Sequence, residues 1–240
     1  MNKFSQKILL LVLLVLSPVI MFSEEYNISL GQMPVYAVSE KEGVLIDLVN
    51  AMAEETGDKF NIKVLPFASS VYLVKKQMRD FHLPLIKNDL VDENKLPFYY
   101  SKETQFHVNF VIYSKKDTNL DLSNLSKYNI ETDRAHVEYF PFKTIPSNSI
   151  ERSLKKVENR EIDAFIFADF ATDPFVKKEG YKNIKRELYK RFDSKIILAK
   201  NEKGKAADLM ITNATAKLKA SGKFQKIMDK IDLPYNNWQP

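Results

Sequence analysis

Residues 78–101 read Met78-Arg-Asp-Phe-His-Leu-Pro-Leu-Ile-Lys-Asn-Asp-Leu-Val-Asp-Glu-Asn-Lys-Leu-Pro-Phe-Tyr-Tyr-Ser101. A short apolar run, Phe81 to Ile86, comes directly before a polar turn, Lys87 to Lys95, and an aromatic cluster that ends at Ser101. Apolar runs of this length bounded by turn residues read as buried strands. The stretch therefore predicts a buried strand that hands polar groups to an exposed edge, the way small-molecule sites are commonly built.

Working upstream, Asn61 to Phe67 predicts another strand, followed by a helix capped by Ser69 or Ser70 with Val71, Val74 and Met78 on its buried side. Before these, Tyr26 to Leu30 alternates and stops at Gly31 as a first strand, and Gln32 to Tyr36 is a loop because Pro34 interrupts any ladder. Gly43 to Gly57 carries Leu45, Leu48, Val49, Met52 and Ala53 at helical spacing, with Gly57 as the stop. Downstream, Val108 to Tyr113 is a β-branched and aromatic strand. The polar stretch Asp117 to Lys127 suits a boundary between two lobes. The pattern then restarts, with a helix capped by Asn148 that carries Ile150, Leu154 and Val157 inward, and an apolar strand from Ile162 to Phe167 ending at Ala168-Asp169-Phe170. Ser194 to Lys200 is a further strand, and Lys205 to Leu218 and Gly222 to Ile231 are amphipathic helices. Strands separated by helices imply crossovers and an α/β fold with a mainly parallel sheet. In open sheets of this kind, ligands sit at the carboxyl ends of strands.

Residues 1–23 have the form of a secretory signal peptide: Lys3 and Lys7 precede an apolar run from Ile8 to Phe22, which is short of the ~20 apolar residues that span a bilayer and is broken by Pro18. The chain has no cysteine, which excludes disulfides, thiolate metal sites, a cysteine nucleophile and lipidation at a cysteine. Net charge is +5, or +3 without Lys3 and Lys7, and the charges are interspersed, so no nucleic-acid surface is expected. His82, His107 and His136 share no metal-ligand spacing, and the six glycines form no phosphate loop. Neither a cofactor nor a metal is expected.

Several motifs in this order resemble the bacterial extracellular solute-binding proteins of family 3. They are a Gly-x-x-x-Asp helix start (Gly43, Asp47), a strand followed by an aromatic and a helix (Phe67 to Met78), an Asp-x-x-x-Pro strand (Asp80, Pro84) and an aromatic-Ser pair (Tyr100, Ser101). Glu161 to Phe165 is similar to that family's Gly-Arg-Ile-Asp-Ala strand, and Ile196 to Ile231 to its closing segment. The resemblance implies a two-lobed, periplasmic-binding-protein-like (type II) fold, with lobe 1 over residues 24–113 plus 195–240 and lobe 2 over residues 114–194. The linking strands would lie near Val108 to Ser114 and Ser194 to Lys200. It also implies a periplasmic monomer that closes on a small polar solute and docks on the permease of an ABC transporter.

Carried over position by position, the ligand-clamping Arg of amino-acid-binding members falls on Asn94, with Lys95, Lys87 and Asn88 as other polar candidates. Guanidinium alone offers bidentate carboxylate pairing, so its absence argues against an α-amino acid held in the usual way. Asp169 corresponds to the acid that takes a ligand ammonium, although a solvated strand-end carboxylate explains it equally well; Tyr36 or Phe67 supplies an aromatic platform. The family pattern has Gly where this chain has Arg79 and again before Ile162. Two other functions stay open: a dehydratase-like enzyme using Glu93 or Asp169, and a sensory or interaction domain of the same fold.

Overall fold

The computed structural model describes residues 23–235, so the leader expected over residues 1–23 lies, apart from Ser23, outside the described residues. Eight strands form one hydrogen-bonded sheet in the order β2-β1-β3-β8-β4-β7-β5-β6. In chain order they are β1 (Glu25–Gly31), β2 (Lys59–Leu65), β3 (Phe81–Ile86), β4 (Phe98–Lys115), β5 (Ile130–Asp133), β6 (Ile145–Ser147), β7 (Ala164–Ala168) and β8 (Ile184–Ala199). The sheet has two halves, each a parallel trio: β2-β1-β3 on one side and β7-β5-β6 on the other. Antiparallel β8 and β4 join them, and both strands are long enough to belong to both halves. Their ladder slips between Tyr100 and Thr104, Thr104 and Phe106, and Phe110 and Val111, and such irregularities bend and twist a strand pair.

The first half is covered by α1 (Val44–Thr56), α2 (Phe67–Lys75), α5 (Glu202–Ala220) and α6 (Lys223–Met228), and the second by α3 (Ile150–Glu158) and α4 (Asp169–Glu179). In α1, Leu45, Leu48, Val49 and Met52 have no exposed surface, as the helical spacing predicts, and Gly57 ends the helix in the left-handed region at φ 76°. The second half has its own small core, in which Leu154 and Val157 of α3 pack against Phe165 and Tyr113. Among the described residues no helix is long and apolar enough to cross a membrane.

Four local expectations need correction. The second helix begins at Phe67, not at a Ser69 or Ser70 cap, and it ends at Lys75, which leaves Met78 66% exposed outside it. The cap of α3 is Ser149, whose Oγ accepts from the Arg152 amide at 3.2 Å, while Asn148 accepts from Arg134 Nε at 2.8 Å. The linking strands run far beyond the apolar cores expected for them. Asp169 does not trail from a strand into solvent; it is the buried first residue of α4.

Candidate functional site

Two loops and two strand ends converge where β4 and β8 pass between the halves. On the first side, the loop after β1 is pinned by reciprocal Met33–Ala37 backbone hydrogen bonds of 3.0 Å, and the Tyr36 carbonyl accepts from Leu45 at the start of α1 at 2.8 Å. This fixes the Tyr36 ring over the sheet. Phe67 comes next, tucked over Gly31, where any side chain would collide with its ring. Its edge meets His82 at 5.3 Å between centroids. From the second side come Phe167 near the end of β7, Phe170 and Ala171 in α4, and His136 in the 3-10 segment Arg134–Tyr139 after β5.

Together these groups enclose a cavity of about 280 Å³, floored by Phe106, Val108, Phe110 and Ser194 of the two crossing strands and walled by Pro84 to Ile86 of β3. Tyr36 closes it by ring contacts across the halves, 4.9 Å from Phe170, and stands 5.7 Å from Phe106. Burial, and then the nearby carboxylates of Asp169 and Asp232, push the Tyr36 phenol well above its ordinary range. His136 lies 5.2 Å from Phe167 and 5.5 Å from Phe110. Its Nδ1–H donates to Asp133 at 3.0 Å, which leaves Nε2 as the ring's remaining polar atom. Burial raises the Asp133 carboxyl, but the bonds from His136 and the Ala135 amide outweigh it and hold the group below the usual range. Ser194 has no exposed surface, and its Oγ has no hydrogen-bond partner among the described residues. Among the described residues, no Asp, Glu, Lys or Arg lines the cavity.

No family model matches the chain, and no curated protein matches it in sequence. Solved structures do. The GluR0 ligand-binding core from Nostoc punctiforme, in complex with (L)-glutamate, superposes with a TM-score of 0.64 at 16% identity, covering 87% of this chain and all of that one. The periplasmic-binding-protein-like fold decides the comparison. This chain has it. A histidine kinase sensor domain with similarity to periplasmic binding proteins aligns at TM-score 0.63 and 11% identity over 87% of this chain and 96% of that one. A probable amino-acid ABC transporter extracellular-binding protein from Bacillus subtilis aligns at TM-score 0.60 and 18% identity over 86% and 97%. The two halves are thus the two lobes of a binding-protein fold, and the cavity lies in the cleft between them.

Within that cleft, Tyr36 and Phe67 line the cavity, and the other residues singled out from sequence stand around it. Asn88 is buried beside the wall residue Ile86; its Nδ2 donates to the Glu138 carbonyl of the opposite lobe at 3.0 Å and its Oδ1 accepts from Leu90 at 3.0 Å. Lys87 is paired with Glu93 at 2.7 Å, and this bond raises its pKa. Asn94 sits in an exposed turn whose carbonyl takes Lys200 Nζ at 2.8 Å, and the Lys95 side chain is 81% exposed. Asp169 is bonded by Asn109 at 3.0 Å, by the Phe170 amide at 2.8 Å and by Arg186 at 3.3 Å. Arg186 also pairs with Asp173 at 3.1 Å, and Tyr113 donates to Asp173 at 2.7 Å, so the cationic partner comes from inside the protein. Burial raises the Asp169 carboxyl despite these bonds.

The cavity wall is more apolar than the hydrogen-bonding cleft expected from the sequence. Ser194, His136 and Phe167 escaped the sequence-based reading, whereas Phe170 stands in the Ala168-Asp169-Phe170 strand end that it singled out. Phe167 and Phe170 were visible as aromatics flanking a strand end. Ser194 and His136 carry no local signal, because only the crossing of distant strands brings them to one place.

Proposed function

We propose that this protein is an extracytoplasmic solute-binding protein: the lobes close on one small solute in the cleft, and the loaded form docks on the permease of an ABC importer. The observation that carries this is the cavity itself, which is walled by both lobes and sealed by the Tyr36–Phe170 contact, so a ligand there touches both and biases closure. In this reading the chain is exported, acts as a monomer in the periplasm and divides near residues 113 and 195. It binds without turnover: neither Glu93 nor Asp169 lines the cavity, and the structures it resembles include an extracellular-binding protein and a ligand-binding core. Likeness to a histidine kinase sensor domain supports a second reading, in which closure signals rather than delivers.

The test is a thermal-shift screen of small solutes on the exported protein, followed by uptake measurements. A solute at about 100 times its Kd adds ~2.7 kcal/mol to stability, a shift of several degrees. Delivery predicts that deleting the gene abolishes energy-dependent uptake of the hit. Intact uptake with retained binding would favour the sensory reading, and the absence of any hit across polar and apolar solutes would sink both.

A further inference from the structure

We infer that residues 231–235 form a third connection between the lobes, a strap behind the hinge that narrows the range of lobe movement, with Tyr235 on Arg186 as its clasp. The inference goes beyond the solute-binding reading and holds whether closure delivers a solute or signals.

The segment leaves lobe 1 at Ile231, which is buried in the same core as Phe224 and Met228 of α6. Asp232 then binds the crossing strands: its carboxylate accepts from the His107 amide at 3.3 Å and from the His107 ring at 3.1 Å, and it pairs with Arg191. The Leu233 carbonyl accepts from Asn109 Nδ2 at 3.1 Å. Tyr235 ends on lobe 2, packed against its small core. Its hydroxyl donates to the Arg186 carbonyl at 3.0 Å, its own carbonyl accepts from Arg186 Nη1 at 3.1 Å, and its ring lies 4.8 Å from the guanidinium carbon. The Arg186 side chain is 7% exposed and also bonds Asp169 and Asp173, one turn apart in α4, the helix that presents Phe170 and Ala171 to the cavity. A cation over a ring gains most when it is desolvated, and solvent screens buried charges least, so this clasp is of a stronger kind than a surface ion pair.

The strand pattern sets the strap behind the hinge. Phe106, Val108 and Phe110 of β4 line the cavity. Successive side chains of a strand alternate between faces, so His107 and Asn109, which hold the strap, point to the opposite one. Two strands alone make a hinge that turns through a few backbone dihedrals. A third crossing of four residue steps, at most about 14 Å even when fully extended and with one φ fixed by Pro234, ties Ile231 to Tyr235 and restricts that turning.

The chain has no cysteine, so pairs of nitroxide labels can be placed on the full chain without background. Double electron–electron resonance between Lys63→Cys in β2 and Lys155→Cys in α3 reads the separation of the lobes, and Lys155→Cys with Lys182→Cys reads lobe 2 alone; all three residues are exposed. Tyr235→Ala is expected to shift and broaden the lobe-to-lobe distances and to leave those inside lobe 2 unchanged, a split that loss of packing in lobe 2 does not produce. Asp232→Ala releases the strap at its other anchor without touching the lobe 2 core and should act in the same direction, so the test stands even where Tyr235→Ala does not fold. Lobe-to-lobe distances that match the wild type in the folded variants would overturn the inference, as would equal broadening between the lobes and inside lobe 2. No solute is added, so either result leaves the solute-binding reading standing, and an empty solute screen leaves the strap standing.

Discussion

His82 has no exposed surface and lies between the Ser70 hydroxyl, 2.6 Å from Nδ1, and the Pro84 carbonyl, 2.9 Å from Nε2. A carbonyl only accepts, so Nε2 carries the proton and Nδ1 takes the hydrogen of Ser70, whose oxygen also bonds Ser29 at 2.8 Å. Charging this imidazole would strip an ion of water, and burial lowers its pKa to about 4. An unfolded histidine titrates near 6.5, so between about 6.5 and about 4 the unfolded chain binds a proton that the folded chain refuses. Stability is then fully present above pH 6.5 and drains away as pH falls through that window, by about 3 kcal/mol from this group. Urea unfolding at pH 7 and pH 4.5 should show the loss. His82→Asn should be less stable at pH 7 yet lose clearly less between the two pH values; an equal loss in both proteins would show that His82 is not the group responsible. This histidine stands directly behind Phe67 and Pro84, so its neutral state also keeps one wall of the cleft in place.

At the scale of elements, the start of α1 is what aims Tyr36 at the cleft. Gly43 precedes that helix at φ 136° and ψ 154°, a region that is essentially closed to residues with a side chain, and a Cβ there would run into the Tyr36 carbonyl. Gly43→Ala is therefore expected to cost about 1–3 kcal/mol in chemical denaturation. Because the strain is relieved by moving the loop at Tyr36, it should also weaken ligand binding; wild-type affinity in a destabilised variant would separate the loop from the site. The glycine and the helix it opens were legible in the sequence, as was β3, whose limits Phe81 and Ile86 coincide with the apolar run. Both have strong periodicity or sharp borders. By contrast, α4 was not legible, since Pro174 and a mixture of Asp, Thr and Ala blur its amphipathic pattern. Nor was the first half of β8, where Lys185 to Arg191 is half-exposed and charged, and its strand state is imposed by its ladder with β4. The same distinction holds for the site. Tyr36 and Phe67 lie next to recognisable motifs, whereas Ser194 becomes part of a site only through that ladder.

For the whole molecule, the question is what holds the lobes together around the cleft. Across it run the Asn88–Glu138 hydrogen bond at 3.0 Å, a long contact of 3.4 Å from the Tyr139 hydroxyl to the Ile86 carbonyl, and the Lys190–Asp89 pair at 2.7 Å. The ion pair is exposed on both sides and solvent screens it, so it contributes little. Asn88 is buried and ends on a main-chain carbonyl, which makes it a desolvated polar tie between the lobes at the mouth of the cleft. Removing one net hydrogen bond of about 1 kcal/mol shifts the balance between joined and separated lobes by about fivefold. Ligand that requires joined lobes must then supply that energy, so Asn88→Ala should raise Kd by about fivefold. Denaturant midpoints should move little, because the main apolar core, which runs through both lobes, keeps its contacts. Small-angle scattering is expected to report a larger radius of gyration for the ligand-free variant than for the ligand-free wild type, with the two converging at saturating ligand. If affinity is unchanged and the two scattering curves coincide without ligand, Asn88 does not govern closure, and the contacts that remain between the lobes, among them the Tyr36–Phe170 ring contact and the Arg186–Tyr235 bonds, suffice to hold them together.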